Sequence, residues 1–489
     1  MMKRILISVF TLCVMINLFA DGVLPNGSGT DSDPYQIEIL DNLLWISTNS
    51  NSWDKNFTQI ADIDASDTQN WNNGFGFSPI GNFSGIYHGS NYIIHELYIN
   101  HQDFPTGFFR STSNSLIENV ILHNANITGM RTTGGLIGVI TNNSDVNNCF
   151  VTGTINGGDD IGGLAGFCSN SEVINCTSEC LITGSGPRVG GLIGNIDFST
   201  ISLCNSICII NGNSYVGGLI GLTHDSDISF CSSSGDVIGE EYIGGLIGKS
   251  NQFSNISNCF SRSNVTGINV VGGFIGILAT YSTIDKCYST GFVDGLTNVG
   301  GFTGVISSLI ILNSFWDIET SGQSTNFGLM GKTTAEMHDV ATYTDVLGLL
   351  DDPWDFVGNP YDDLGNEDYW DINISINDGY PNLSNLFVGD VNNDIPYFSF
   401  NLNNYPNPFN PNTTIEFSIQ NDSKVNLSIF NIKGQRIKIL INNEFQKGSH
   451  SINWNGDDEF GKPVSSGNYY YKLNVNGKTE VVKKCLLLK

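Results

Sequence analysis

The chain has 489 residues, room for two or three domains around a large core, and sets 21 Lys and Arg against 48 Asp and Glu for a formal net charge of −27. A surface that tracks a phosphate backbone needs clustered positive charge. No basic cluster occurs, so nucleic-acid binding is excluded, and the acidic excess instead favours solubility and suits an exported protein.

The N-terminus, MMKRILISVFTLCVMINLFADG, opens on Lys3 and Arg4 and continues with an apolar run from Ile5 to Ala20. This length predicts a secretory signal over residues 1–20, cleaved after Ala20, and falls short of the ~20 apolar residues of a spanning helix. No later segment has the length and apolarity for a transmembrane segment. The expected location is therefore secreted or on the outer cell surface. Residues 21–105 read as a β-rich N-terminal cap.

From residue 106 to 327 the chain repeats. A Gly-Gly pair begins at Gly134, Gly162, Gly190, Gly217, Gly244, Gly272 and Gly300, at intervals of 27 or 28 residues. A phosphate-cradling loop is needed once, so seven evenly spaced copies indicate units that stack. After each GGLIG-like core come Ser, one residue, an aliphatic, and three residues later Cys: Cys149, Cys176, Cys204, Cys231, Cys259 and Cys287. An eighth, degenerate unit starts at Thr106-Gly107-Phe108-Phe109. Short apolar–polar alternations divided by Gly, Asn, Ser and Asp predict strands and turns, and no dozen-residue stretch has helical spacing. The expected fold is all-β: a right-handed parallel β-helix of about eight 27–28-residue coils, three short strands per coil, with the Gly-Gly pairs along a single edge. An aromatic segment with Trp354, Phe356 and Trp370 reads as a C-terminal cap over 328–388, and 389–404 as a linker. In residues 405–489, Pro406, Pro408 and Pro411 lead into alternating stretches at Thr414–Ile419, Val425–Phe430, Ile437–Ile441 and Tyr469–Val475, which predict a small β-sandwich.

The GGLIG cores, with GSGTDSDPYQI at 27–37 and FSGIYHGSNYIIHELYI at 83–99 before them and FWDIETSGQ at 315–323 and GYPNL at 379–383 after them, resemble the GLUG motif repeat. That family occurs in bacterial adhesins and beside the catalytic domain of immunoglobulin-cleaving metallopeptidases, so the resemblance implies surface display more than chemistry. YPNPFNP, NIKGQ, SSGNYYYKL and KKCLLLK resemble, in order, the C-terminal sorting domain of the type IX secretion system of Bacteroidetes and related bacteria. The resemblance implies that residues 405–489 engage the type IX secretion machinery.

The chemistry-bearing residues point to no reaction. The six cysteines at one repeat position would stand ~4.8 Å apart with side chains pointing the same way, which predicts stacked free thiols. Val120 and Ser314 hold that position in the flanking coils, so it asks for a small side chain. Cys231→Val is accordingly expected to cost less than Cys231→Ser. Cys176 with Cys180, and Cys204 with Cys208, are too far apart on a strand for one zinc. Asp390-Val391-Asn392-Asn393-Asp394 starts like a calcium loop, but Ile395 and Asn401 stand where Gly and Glu belong, so it reads as a polar turn. Neither H-E-x-x-H nor G-x-S-x-G occurs, and Glu336 with His338 fits no metal-helix spacing. Asp227 and Asp285 read as solvated acids, and Arg131, Arg188, Lys249, Arg262 and Lys286 are the scattered cations of the coils. Tyr215, Tyr242 and Tyr281, where exposed, would supply binding contacts. No catalytic, cofactor-binding or metal residue is assigned and no cofactor is implied. The expected function is a secreted or surface-bound binding or adhesion module, with a polysaccharide or host glycoprotein as ligand. The alternative is an extracellular polysaccharide lyase or hydrolase with a carboxylate site on the helix.

Overall fold

The computed structural model describes residues 22–488 except 102–104, 280, 308–309, 325–330, 346–349, 351, 358–367, 374–376, 385–401, 406, 408, 420–422, 432–434, 447 and 476–477. The expected signal at 1–20, most of the linker and the Asp390–Asp394 turn lie outside these residues. The chain divides between Ile395 and Pro396 into two compact units.

The first unit is a parallel β-solenoid of about nine turns. One coil shows the plan: strands Pro187–Gly190, Ile193–Asp197, Thr200–Ser202 and Asn205–Asn211 follow one another around the axis. Each stacks on its counterparts in neighbouring coils, giving sheets of seven, nine, eleven and fourteen strands in that order around the coil. The expectation of three strands per coil is therefore corrected to four. The residues before each Gly-Gly pair form a short strand of their own, and Gly190 pairs with Gly217 along a single edge.

Three of the four corners are left-handed residues in register. They fall two residues before the Gly-Gly pair (Arg188, φ 67°), one before the repeat serine (Asn170, φ 48°) and one before the repeat cysteine (Asn175, φ 51°). Asn and Asp tolerate this conformation, which is why they punctuate the repeat. The Gly-Gly pair makes the fourth corner without positive φ, and its need for glycine is spatial. A Cβ on Gly190 would overlap the Ile193 carbonyl, one on Gly191 the Gly218 carbonyl and Ser206 hydroxyl, and one on Gly194 the Ile161 amide.

Inside, alternate side chains bury an unbroken apolar column that includes Leu136, Leu164, Leu192, Leu219, Leu246 and Phe274. Two polar ladders run beside it, built alike. In the serine ladder, the amide of Ser144 donates to Ser171 Oγ (3.2 Å), that of Ser171 to Ser199 Oγ (3.3 Å) and that of Ser199 to Ser226 Oγ (3.1 Å). Each hydroxyl then returns its proton to a carbonyl of its own corner, as Ser199 Oγ does to Asp197 O at 2.8 Å.

The cysteine ladder repeats this with sulfur. The amides of Cys149, Cys176, Cys204 and Cys231 donate to the thiols of Cys176, Cys204, Cys231 and Cys259 at 3.3–3.4 Å. Cys231 Sγ in turn donates to Ser229 O at 3.1 Å. All ten cysteines of the described residues are free and buried, among them the six for which the repeat spacing predicts stacked thiols.

The same strands reach back through the N-terminal segment. Tyr35–Ile37, Asn56–Gln59 and Ile86–His88 extend the eleven-stranded sheet, and Ile80–Phe83 extends the nine-stranded one. Helix Leu40–Thr48 buries Leu43 and Ile46 in the continuous core. At the other end the chain folds back over the outside of the last coils. Phe260, Tyr288 and Phe315, each directly after a ladder position, stack in register under Trp354, Trp370 and Tyr380.

The second unit pairs a three-stranded antiparallel sheet (Asn403–Tyr405, Thr413–Ile419, Gly448–Trp454) with a four-stranded one (Ser423–Asn431, Arg436–Phe445, Gly467–Val475, Lys478–Leu487). Both contribute to one core containing Phe417, Leu427, Trp454, Leu473 and Leu487. The alternating stretches read from the sequence lie on these strands.

Candidate functional site

The charged residues of the coils do not converge. Arg131 pairs with Asp159, Arg188 with Asp160, Arg262 with Asp378, and Lys286 with Asp352. Lys249 lies over the rings of Tyr215 and Tyr242, 5.2 and 5.7 Å from their centroids. Asp227 accepts from the Asn255 amide group at 2.9 Å, and Asp285 from that of Asn313 at 2.9 Å. Among the described residues no group of three or more His, Cys, Asp or Glu could hold a metal. Glu336 is a helix cap: it accepts from the Thr333 amide and hydroxyl, both at 2.8 Å, and these bonds hold its carboxyl below the ordinary range. His338 packs edge-on against Tyr380. Burial pushes the Cys168 thiol up to about 12, so it stays protonated and unreactive at neutral pH.

One buried carboxylate ties the two exit motifs together. Asp317 caps helix Ile318–Ser321 through the amides of Glu319 (2.8 Å) and Thr320 (3.0 Å). Its other oxygen accepts from Thr334 Oγ1 and Tyr380 Oη, both at 2.7 Å. FWDIETSGQ and GYPNL, distant in the sequence, are thus two halves of one joint. Desolvation, and then the Asp317 carboxylate, raise the Tyr380 hydroxyl well above the ordinary range. This joint is structural, holding the chain against the last coils.

What the solenoid offers outward is aromatic. Tyr215 and Tyr242 stack at 5.2 Å on one left-handed corner, under Lys249. Phe253 and Tyr281 stack at 5.2 Å on another, with Phe198 on the same corner edge-on to His224. The reading of Tyr215, Tyr242 and Tyr281 from the sequence omitted Phe198 and Phe253. Their signal was available: each directly precedes a repeat serine, where other units carry Asn.

The GLUG motif model matches residues 212–238, and that of the FlgD Ig-like domain matches residues 410–479. Halomucin of Haloquadratum walsbyi is 37% identical over 131 residues, 26% of this chain and 1% of that protein. Among solved structures, a putative immunoglobulin A1 protease from Bacteroides ovatus aligns with 21% identity and a TM-score of 0.41, over 73% of this chain and 94% of that one. An IgA1 protease aligns with 17% identity and a TM-score of 0.42, over 61% of this chain and 23% of the other. The chain is a parallel β-solenoid carrying the GLUG motif, followed by a C-terminal unit that matches the FlgD Ig-like domain.

Proposed function

We propose that this protein is exported to the outer cell surface or the medium and acts there as a binding or adhesion module. The observation that carries the reading is the division of labour within the coil. Interior positions repeat almost unchanged, as the Gly, Ser and Cys registers do, while the outward corners change residue from coil to coil. A scaffold that fixes its inside and varies its outside is suited to display. The similarity to halomucin and the N-terminal basic–apolar segment support an extracellular address. The C-terminal unit is proposed to be the sorting domain that engages the type IX machinery. Its own apolar core supports treating it as a separable module.

The experiment is a screen of the purified mature protein against polysaccharide and host-glycoprotein arrays, scoring retention and product release separately. Retention without release is expected. Release of shortened product would favour the polysaccharide lyase or hydrolase alternative. Export is tested by deleting residues 405–489 in the native host. The truncated protein is expected to fold but to stay inside the cell, and its appearance in the medium would refute the sorting assignment.

A further inference from the structure

The corner preceding the repeat serine is left-handed in consecutive coils. Asn143 and Asn170 hold it in two of them, Asp225 in a third, and Phe198, Phe253 and Tyr281 in the others. Bulky side chains are strained in this conformation, and Asn is the residue that relieves the strain. Aromatic residues on the other left-handed corners are half-buried. Phe230 packs on Tyr369 of the returning chain, and Tyr215 with Tyr242 lies under the Lys249 ammonium. Phe198, Phe253 and Tyr281 are open to solvent, with exposures of 50%, 51% and 60%, although Phe253 stacks on Tyr281 and Phe198 meets His224 edge-on. Strain together with exposure, at a position where the fold itself accepts Asn, is what a ligand-facing residue shows.

The flanks specify the ligand. On one side of this aromatic row stand Asp197, His224 and Asn251, and on the other Thr200, Asp227, Asn255 and Thr283. The second flank is a ribbon of hydrogen-bonding groups, with Thr283 Oγ1 donating to Asn255 Oδ1 at 2.8 Å and Asn255 Nδ2 to Asp227 Oδ1 at 2.9 Å. The row is one residue wide, so it offers no broad apolar patch of the kind a protein partner needs. A narrow aromatic strip with hydroxyl, amide and carboxylate rims matches a sugar chain, whose C–H faces stack on rings while its hydroxyls bond sideways. Phe198 to Tyr281 spans three coil steps, about 14 Å, enough for several sugars in line. No lysine or arginine stands in the row or its two flanks, and Asp225 lies exposed in the row between Phe198 and Phe253. Fixed negative charge disfavours an anionic ligand.

We propose that the Phe198–Phe253–Tyr281 edge is a binding site for a neutral or amine-bearing glycan chain lying along the solenoid. This rests on the binding-module reading and names its site and ligand class. The test is calorimetric titration of the full mature chain with three probes: a β-1,4-linked glucose hexamer, a β-1,4-linked glucosamine hexamer, and a galacturonate hexamer. At least one of the first two is expected to bind and the uronate to bind at least tenfold more weakly. Phe253→Asn with Tyr281→Asn is expected to weaken binding at least tenfold while the melting temperature stays level or rises, because Asn suits the corner. A double variant that binds unchanged, a uronate that binds best, or no binding by any probe overturns the proposal. If the arrays retain the wild type and the double variant equally, the binding-module reading survives without this site. Retention of neither on any array sinks both.

Discussion

Replacing Cys231 by serine, valine and alanine separates two roles for the cysteine ladder, filling volume and satisfying backbone. Cys231 Sγ accepts from the Cys204 amide at 3.4 Å and donates to Ser229 O at 3.1 Å, and the site is fully buried. Valine and alanine remove both bonds and leave a buried amide without an acceptor, at about 1–3 kcal/mol. Valine also adds a methyl group to a packed interior, at a further cost of about 1 kcal/mol or more. Serine keeps the donor and the acceptor and loses mainly the larger sulfur, for a cost within about 1 kcal/mol. The structure already contains the serine version: Ser314 Oγ accepts from the Cys287 amide at 3.1 Å and donates to Leu312 O at 2.6 Å. It also explains Val120, where the amide of the preceding turn, Tyr92, is satisfied by Gly89 O at 3.0 Å and needs no side chain. The ordering expected from the sequence alone, valine milder than serine, is thereby reversed. The assay is denaturant unfolding of the three variants together with native-state hydrogen exchange at the Cys204 amide. Valine is expected to speed that exchange at least tenfold and serine to leave it near the wild-type rate. Equal or greater stability for valine than for serine would show that the ladder is filler.

Gly191→Ala is expected to prevent stable folding of the repeat unit, because its methyl group meets the Gly218 backbone, which cannot move without displacing the next coil; circular dichroism and proteolysis check this. Thiol titration of the native protein at pH 8 is expected to find none of the described cysteines reactive, and all of them after unfolding. Stability is expected to fall on the alkaline side. The unfolded Cys168 thiol ionises from about pH 8.5, whereas the folded one holds its proton to about 12. The unfolded state therefore binds fewer protons across that window, and each such thiol costs about 1.4 kcal/mol per pH unit, read as melting temperature against pH. Tyr380→Phe removes one of four bonds to the buried Asp317 carboxylate and is expected to cost about 1–3 kcal/mol. Limited proteolysis should then cut the returning segment first and spare the coils.

The parallel stack was legible because its cause is periodic: glycines that must be small recur wherever coils touch, and a fixed interval of 27 or 28 residues leaves little else to build. The fourth strand was hidden because the two to four residues that end on the first glycine of each pair are too few to alternate. The polarity of the cysteine position was hidden for a different reason. Sulfur was read as apolar, and its bond to an amide one coil away is invisible without the register. The Asp317–Tyr380 joint links residues 63 apart, and no local pattern marks it. For the aromatic edge, the residues could be named from the sequence, but their strain and exposure are properties of the folded corner.

The two ladders have a consequence for how such a chain changes over generations. The central coils present matching donors on one side and acceptors on the other, so one of them can sit on another. An exchange between two copies of the repeat that removes residues 190–216 would join Val189 to Gly217, whose own neighbour Val216 already stands level with Val189. The shortened chain would keep its core, its ladders and both ends, and the rod would lose one step of about 4.8 Å. Length is thus a heritable variable that recombination can adjust in whole coils, and each exchange also reshuffles which side chains follow one another along the outer edges.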